Sequence, residues 1–395
     1  VELTNVSLQG QGRIHLNTQG SLPSTLMKLI THLSFLTLCA TTATADLTSS
    51  IEKLRSVGRE GSGNTDASGA WQEVVKTEAS NLPAVLEGMN GANPLAENWI
   101  RAAVDTIADR ALATQKDLPI SELKAFIADT GHSAAPRVLA FDLIQKVSPG
   151  EAEKITPSLL EDPSSDLRRY PIVKLIEDGE KLLEKKDTQA AGATFEKALI
   201  SARDEDQIKK LTKSLRDLGK KVDLVKHFGF LTQWNLIAPF TNVERKGFNE
   251  VFPPEREINL ATTYPGKTGQ VKWVEYKSTD EYGVIDFNKP FGMEKQVTGF
   301  AYTEFNSTEE REAEIRLGCK NGWKIWLNGK LIFARDEYHR GMKLDQYKLP
   351  AKLQKGKNAI LVKCCQNEQT EEWTVEWQFQ LRVCDSTGTA ISSAP

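Results

Sequence analysis

The sequence predicts an α+β multidomain protein, with an N-terminal α-solenoid followed by an antiparallel β-sandwich. Three observations carry this expectation. From Leu47 to about Val222 apolar residues recur every three or four positions, the spacing of helices that bury one face. Past Lys226 the rhythm becomes alternation, in about eight runs separated by Gly, Pro, Asn and Asp, as in half-buried strands joined by tight turns. A length of 395 residues also exceeds what one core ordinarily organises.

Before the first helix, the chain from Met27 reads MKLITHLSFLTLCATTATAD: one lysine, a mostly apolar run and Ala43-Thr44-Ala45 ahead of Asp46. This is the layout of a secretory signal peptide, so residues 27–45 are expected to be cleaved and residues 1–26 to be a disordered upstream extension. No later run approaches the roughly 20 apolar residues of a spanning helix. The expectation is an exported, periplasmic or extracellular chain without a transmembrane segment after signal cleavage. Against 53 acidic residues stand 50 basic ones, a balance with no footprint for nucleic acid. After residue 45 the cysteines are Cys319, Cys364, Cys365 and Cys384, which lack C-x-x-C spacing and read as packing residues, with no metal site. Adjacent Cys364 and Cys365 on a strand would face opposite ways.

Residues 46–222 form the expected helical domain. Leu47, Ile51, Leu54 and Val57 share one face, as do Trp99, Ile100, Ala103, Val104 and Ile107. GREGSGNTDASG reads as a flexible linker by composition. The stretch LLEDPSSDLRRYPIVKLI, residues 159–176, resembles a HEAT repeat, with proline and serine ending one helix before another begins. AAGATFEKALISARDEDQIKKL resembles a TPR-type helix pair packed through Phe195, Ala198 and Leu199. Such pairs must stack to bury their stripes, which implies a surface for a protein partner. Arg101, Arg137 and Arg168 are expected to bond turn carbonyls or aspartates within the stack.

Residues 226–386 form the expected sandwich, with 387–395 as a disordered tail. Asn328-Gly329 between NGWKIWL and KLIF suits a type I′ turn. A regular register pairs Leu327 with Lys330, Trp326 with Leu331 and Ile325 with Ile332. It places Trp323, Ile325, Leu327 and Ile332 on one face and Lys324, Trp326, Leu331 and Phe333 on the other. The second face is apolar too, so a loop, the helical half or a ligand should cover it.

In order, FLTQWNLIAPFTN, GFNEVFPPE, GQVKWVEY, AYTEFNS, GWKIWLNGKLIF and LQKGKNAILVKCCQ resemble a jelly-roll module of secreted bacterial proteins. The module is similar to galactose-binding-like domains and to the sugar-binding domain of certain glycoside hydrolases. Where that pattern carries acidic residues ahead of its Trp-Leu-Asn-Gly strand, this chain has Lys320-Asn321. The resemblance implies carbohydrate binding or an accessory role. The candidate ligand contacts are Arg335, Tyr338, His339 and Arg340 after the hairpin, with Trp373 at a strand entrance.

Catalytic motifs do not survive inspection. ATTYPGKT, residues 261–268, has the outline of a phosphate loop, but a strand-like GQVKWVEY follows it in place of the helix that phosphate binding needs. The histidines lack H-E-x-x-H spacing, and there is no G-x-S-x-G elbow. The reading is an exported, non-enzymatic binding protein without cofactor or metal, whose jelly roll takes glycan or envelope polysaccharide. A purely structural envelope scaffold and a glycoside-active enzyme are the rivals; glycan retention separates the first and turnover the second.

Overall fold

The computed structural model describes residues 46–394; the expected signal peptide and upstream extension lie outside the described residues. A helical region is followed by an antiparallel β-sandwich, as expected. The chain groups into two compact units that divide between Leu143 and Ile144. No helix among the described residues is long and apolar enough to cross a membrane.

The first unit contains α1 (46–55), α2 (Asn64–Val74), α3 (Leu82–Glu87), α4 (Pro94–Ala113) and α5 (Ile120–Ala128); α6 (Ala134–Val147) carries the chain onward. Ile100, Ala103, Val104 and Ile107 of α4 are buried, the face read from their spacing. Asn93 caps α4, its side chain accepting from Leu95 N and Ala96 N, while Pro94 opens the helix. The expected linker GREGSGNTDASG is instead a short 3-10 turn, Arg59–Gly61, followed by the start of α2. Ala67, Ala70 and Val74 supply the buried stripe that outweighs its polar composition. Arg137 is buried with Nε donating to Ile127 O, whereas Arg101 lies exposed on the surface, contrary to the shared role expected of them.

The second unit continues with α7 (Pro149–Ile155), α8 (Ser165–Glu184), α9 (Thr188–Ser201), α10 (Glu205–Asp217) and α11 (Leu224–Phe228). Ser164, Asp187 and Asp223 cap α8, α9 and α11. Phe195, Ala198 and Leu199 are buried as expected, and Phe195 lies so close to Gly179 that any Cβ there would strike its ring. His227, at the end of α11, is lowered from 6.5 to about 4 by burial, then by the guanidiniums of Arg203 and Arg382. The folded side chain thus stays neutral where the unfolded one takes a proton. Stability held here is full above about pH 6.5 and is lost as acid lowers the pH towards about 4, by roughly 2–3 kcal/mol. Urea midpoints at about pH 7 and about pH 4.5 should therefore fall less in His227→Gln than in the wild type. Equal falls would refute this assignment.

The strands are β1 (Gln233–Thr241), β2 (Thr263–Pro265), β3 (Gln270–Lys272), β4 (Val274–Lys277), β5 (Ile285–Asp286), β6 (Val297–Ser307), β7 (Arg311–Cys319), β8 (Gly322–Leu327), β9 (Lys330–Arg335), β10 (Tyr347–Leu353), β11 (Gly356–Gln366) and β12 (Gln378–Cys384). A six-stranded sheet runs β4-β1-β6-β11-β8-β9 and a four-stranded sheet β10-β7-β12-β5. One core draws on both, with Phe305, Trp323, Ile325 and Val362 meeting Ile315, Leu317, Phe379 and Leu381. The alternating runs read from the sequence are these inward faces. The phosphate-loop outline is the hairpin β2–β3, and its Lys267 donates to Lys295 O.

The aromatic hairpin β8–β9 turns at Asn328-Gly329, with φ of 53° and 78°. Its register departs from the regular one: Ile325 faces Phe333, not Ile332, because a bulge intervenes between Ile325 and Trp326. The extra residue brings Phe333 to Trp323 and Tyr347, at 5.2 and 5.8 Å between ring centroids, rather than to the opposite face. The outer face of the six-stranded sheet is covered by the segment of this chain between β1 and β4. Phe252, Val271 and Trp273 close over Ile237, Phe240, Phe300, Tyr302 and Leu361, with Trp326 packed half-buried at the cluster. Lys363, on β11, rises into that cover and donates to Phe248 O, Glu250 O and Glu255 Oε1.

The residues after β12 are held in place. Arg382, Arg316 and Arg168 donate to the carbonyls of Gly388, Ser386 and Thr387, and Arg203 donates to Thr389 Oγ1. Ile391 N then bonds Val383 O, and Ala394 N bonds Asn306 O. A polar sequence from 387 onward reads as a free tail until Arg168 and Arg382 reach its carbonyls and Arg203 its Thr389 hydroxyl, with Arg316 held to Ser386 just ahead of it.

Candidate functional site

At one end of the sandwich the chain after β1, the β7–β8 turn, the segment after β9 and the segment after β11 come together through side-chain amides. Asn242 donates from Nδ2 to Gln366 O at 2.9 Å and to Tyr338 Oη at 3.2 Å. Asn321 Nδ2 donates to Glu376 O and Gln366 Oε1, while its Oδ1 accepts from Gln378 N. Gln366 Nε2 in turn reaches Thr374 O at 2.9 Å. All four of Asn242, Asn321, Gln366 and Thr374 are buried, so this network fixes the loops as a polar core would. Lys320 pairs with Glu376. The corner where the resembled pattern carries acidic groups is thus filled by Asn321 and a committed lysine.

On this foundation sits an aromatic surface. Trp373 lies on a 3-10 turn, Glu372–Thr374, whose Thr374 is buried and donates to Glu371 O and Gln369 O. The indole itself is 60% exposed, the one tryptophan of eight left mostly in water. His339 stands edge-on to it, 5.3 Å between centroids at 84°. The imidazole is fixed by Nε2 against Asn367 Oδ1 at 2.9 Å, and its backbone N donates to Lys320 O. Tyr338 lies next to His339, with the Arg245 guanidinium 5.3 Å over its ring. Burial, then the neighbouring Cys365, raises the Tyr338 phenol well above its ordinary range, so it serves as a neutral hydrogen-bonding group.

The structure therefore brings Tyr338, His339 and Trp373 together. Arg335 and Arg340 meet each other instead through Glu337, at 2.8 and 3.3 Å from its carboxylate. Arg245 pairs with Glu368 at 2.5 Å, and that hydrogen bond holds the Glu368 carboxyl below its usual range. A carboxylate so stabilised is a poor proton donor near neutrality. Asn242, Arg245, Gln366, Asn367 and Glu368 were not among the candidate contacts. Asn242 and Gln366 end two of the quoted strand motifs, a signal that the polar residues closing those strands share one corner.

No family model and no curated protein matches the chain. Among solved structures it is similar to a beta-galacturonidase from Eisenbergiella tayi bound to glycerol, at 11% identity and a TM-score of 0.23, over 39% of this chain and 23% of that one. An FMN-binding beta-glucuronidase from Facaelibacterium prausnitzii gives 12% and 0.20, over 38% and 21%. A beta-glucosidase from Kluyveromyces marxianus in complex with glucose gives 13% and 0.24, over 71% and 36%. The chain spans no more than 36% of the length of these three proteins.

Proposed function

We propose that this protein binds carbohydrate at the Trp373 corner of its sandwich, without catalysing a reaction on it. The observation that carries the reading is an exposed indole on a short turn anchored by the buried, doubly hydrogen-bonded Thr374. Tryptophan in that setting offers a flat apolar face to the C–H face of a pyranose, while His339, edge-on to the indole, supplies a polar neighbour for hydroxyl groups. The order of strand motifs resembling a galactose-binding-like jelly roll supports the same reading. The helical segments, HEAT-like and TPR-like in spacing, are assigned to protein contact, and export through the segment from Met27 would deliver the protein to envelope polysaccharide.

A glycan array probed with the chain from residue 46 onward, followed by calorimetry on the best oligosaccharide, tests this. Trp373→Ala should weaken binding by at least about tenfold, close to 1.4 kcal/mol, with the thermal midpoint unchanged because the side chain is mostly in water. If folded protein retains no glycan, or if Trp373→Ala binds as well as the wild type, the proposal fails and a structural scaffold is favoured. Release of new reducing ends from the bound oligosaccharide would favour the enzyme.

A further inference from the structure

Two of the four cysteines among the described residues sit on different sheets yet face each other through the core. Cys319 ends β7 of the four-stranded sheet, Cys364 lies on β11 of the six-stranded sheet, and their sulfurs are 3.8 Å apart. Both are free thiols and almost completely buried. The surroundings leave them little freedom to separate. Trp323 is the register partner of Cys364, and Trp377 Nε1 donates to Cys364 O at 3.0 Å. The other two sulfurs are engaged elsewhere, Cys365 beside Thr298 Oγ1 and Cys384 towards Glu314 O.

We infer that Cys319 and Cys364 are a redox modification site, which in an oxidising medium closes an intersheet disulfide. Bond formation must bring the sulfurs from 3.8 Å to about 2 Å. In the reaction each thiol gives up its proton, the pair gives up two electrons, and a partner disulfide, either glutathione disulfide or a protein disulfide, accepts both to become two thiols. Because the native core encloses both sulfurs, exchange occurs while the sheets assemble and the product is then shielded from reductants. The bond also bears on the polar corner. Cys319 directly precedes Lys320 and Asn321, and Cys364 lies two residues before Gln366, so one crosslink ties together the strand ends that carry the loops around Trp373.

The test refolds the reduced full chain in a mixture of reduced and oxidised glutathione, blocks remaining thiols in denaturant and digests without reduction. Mass spectrometry should find the Cys319 peptide joined to the Cys364–Cys365 peptide, and the same link should persist in Cys365→Ala and vanish in Cys364→Ala. Closing a loop across 45 residues should raise the thermal midpoint of the oxidised protein by roughly 10 °C over chain refolded throughout in reductant, in which the bond never forms. That wild-type comparison remains decisive if a cysteine variant does not fold. Complete alkylation of Cys319 and Cys364, a link that survives Cys364→Ala, or equal midpoints for chain refolded with glutathione disulfide and chain refolded in reductant would overturn the inference.

Discussion

Asp345→Asn should destabilise the second unit by about 3–5 kcal/mol, the loss expected when one member of a buried charge cluster is neutralised. Asp345 accepts from Arg382 at 2.7 and 2.6 Å, one bond to each carboxylate oxygen, and from Arg316 at 2.7 Å. Both guanidiniums are buried. Burial works against ionisation of this carboxyl, but Arg382 and Arg316 together hold it below its ordinary range. Asparagine keeps the size and tolerates the left-handed backbone at φ 54°, so the substitution removes the charge and one of the two acceptor oxygens without straining the chain. Without it, Arg316 keeps only the carboxylate of Glu314 and Arg382 loses its carboxylate, and the C-terminal segment they anchor at Ser386 and Gly388 loses support. The measurement is the urea midpoint at neutral pH. A loss below about 1 kcal/mol would mean that water reaches the cluster and that the arginines need no counter-charge.

Lys363→Ala should cost a similar amount, about 3–5 kcal/mol, for a different reason. The Lys363 side chain is 0% exposed and its Nζ lies 2.9 Å from Glu255 Oε1. Burial lowers the ammonium from its ordinary value, while the neighbouring Cys365 and the Glu255 carboxylate oppose that fall. The ammonium also sits 5.0 Å over Phe252 and 5.7 Å over Phe300, so it joins the cover to the outer face of the six-stranded sheet. Removing it leaves the enclosed Glu255 carboxylate and two carbonyls without their donor. A double-mutant cycle separates the charge from the packing. Glu255→Gln can still accept from Phe252 N, so it should cost markedly less in a Lys363→Met background than in the wild type. Equal costs in the two backgrounds would show that Lys363 acts only through the carbonyls of Phe248 and Glu250.

Several features were legible before any coordinates because they are local. Helical spacing identified the buried face of α4 and the packing of Phe195, Ala198 and Leu199 on α9. Alternation identified the inward residues of β7 and β12, and Asn328-Gly329 identified the hairpin turn. The misreadings came where composition competed with packing. GREGSGNTDASG looks like a linker, yet its last half opens α2, whose buried stripe is Ala67 and, beyond the stretch, Ala70 and Val74. The regular hairpin register does not hold because a bulge brings Phe333 to Trp323, where both rings meet Tyr347 of β10, a contact from outside the two strands.

The candidate site divides in the same way. Tyr338, His339 and Trp373 were recognisable as aromatic residues near strand ends, and the structure places His339 against Trp373. Arg335 and Arg340 looked equivalent to them but turn to Glu337. From residue order alone one can read the change from helix to strand, the turn residues and the cysteine count, since periodicity and backbone preference act over a few neighbouring positions. Which loops meet at Trp373, which arginines hold the last residues, and which thiols face each other across the sheets were decided only in three dimensions. Those contacts join residues far apart along the chain, and satisfying buried polar groups is a property of the closed fold rather than of any segment in it.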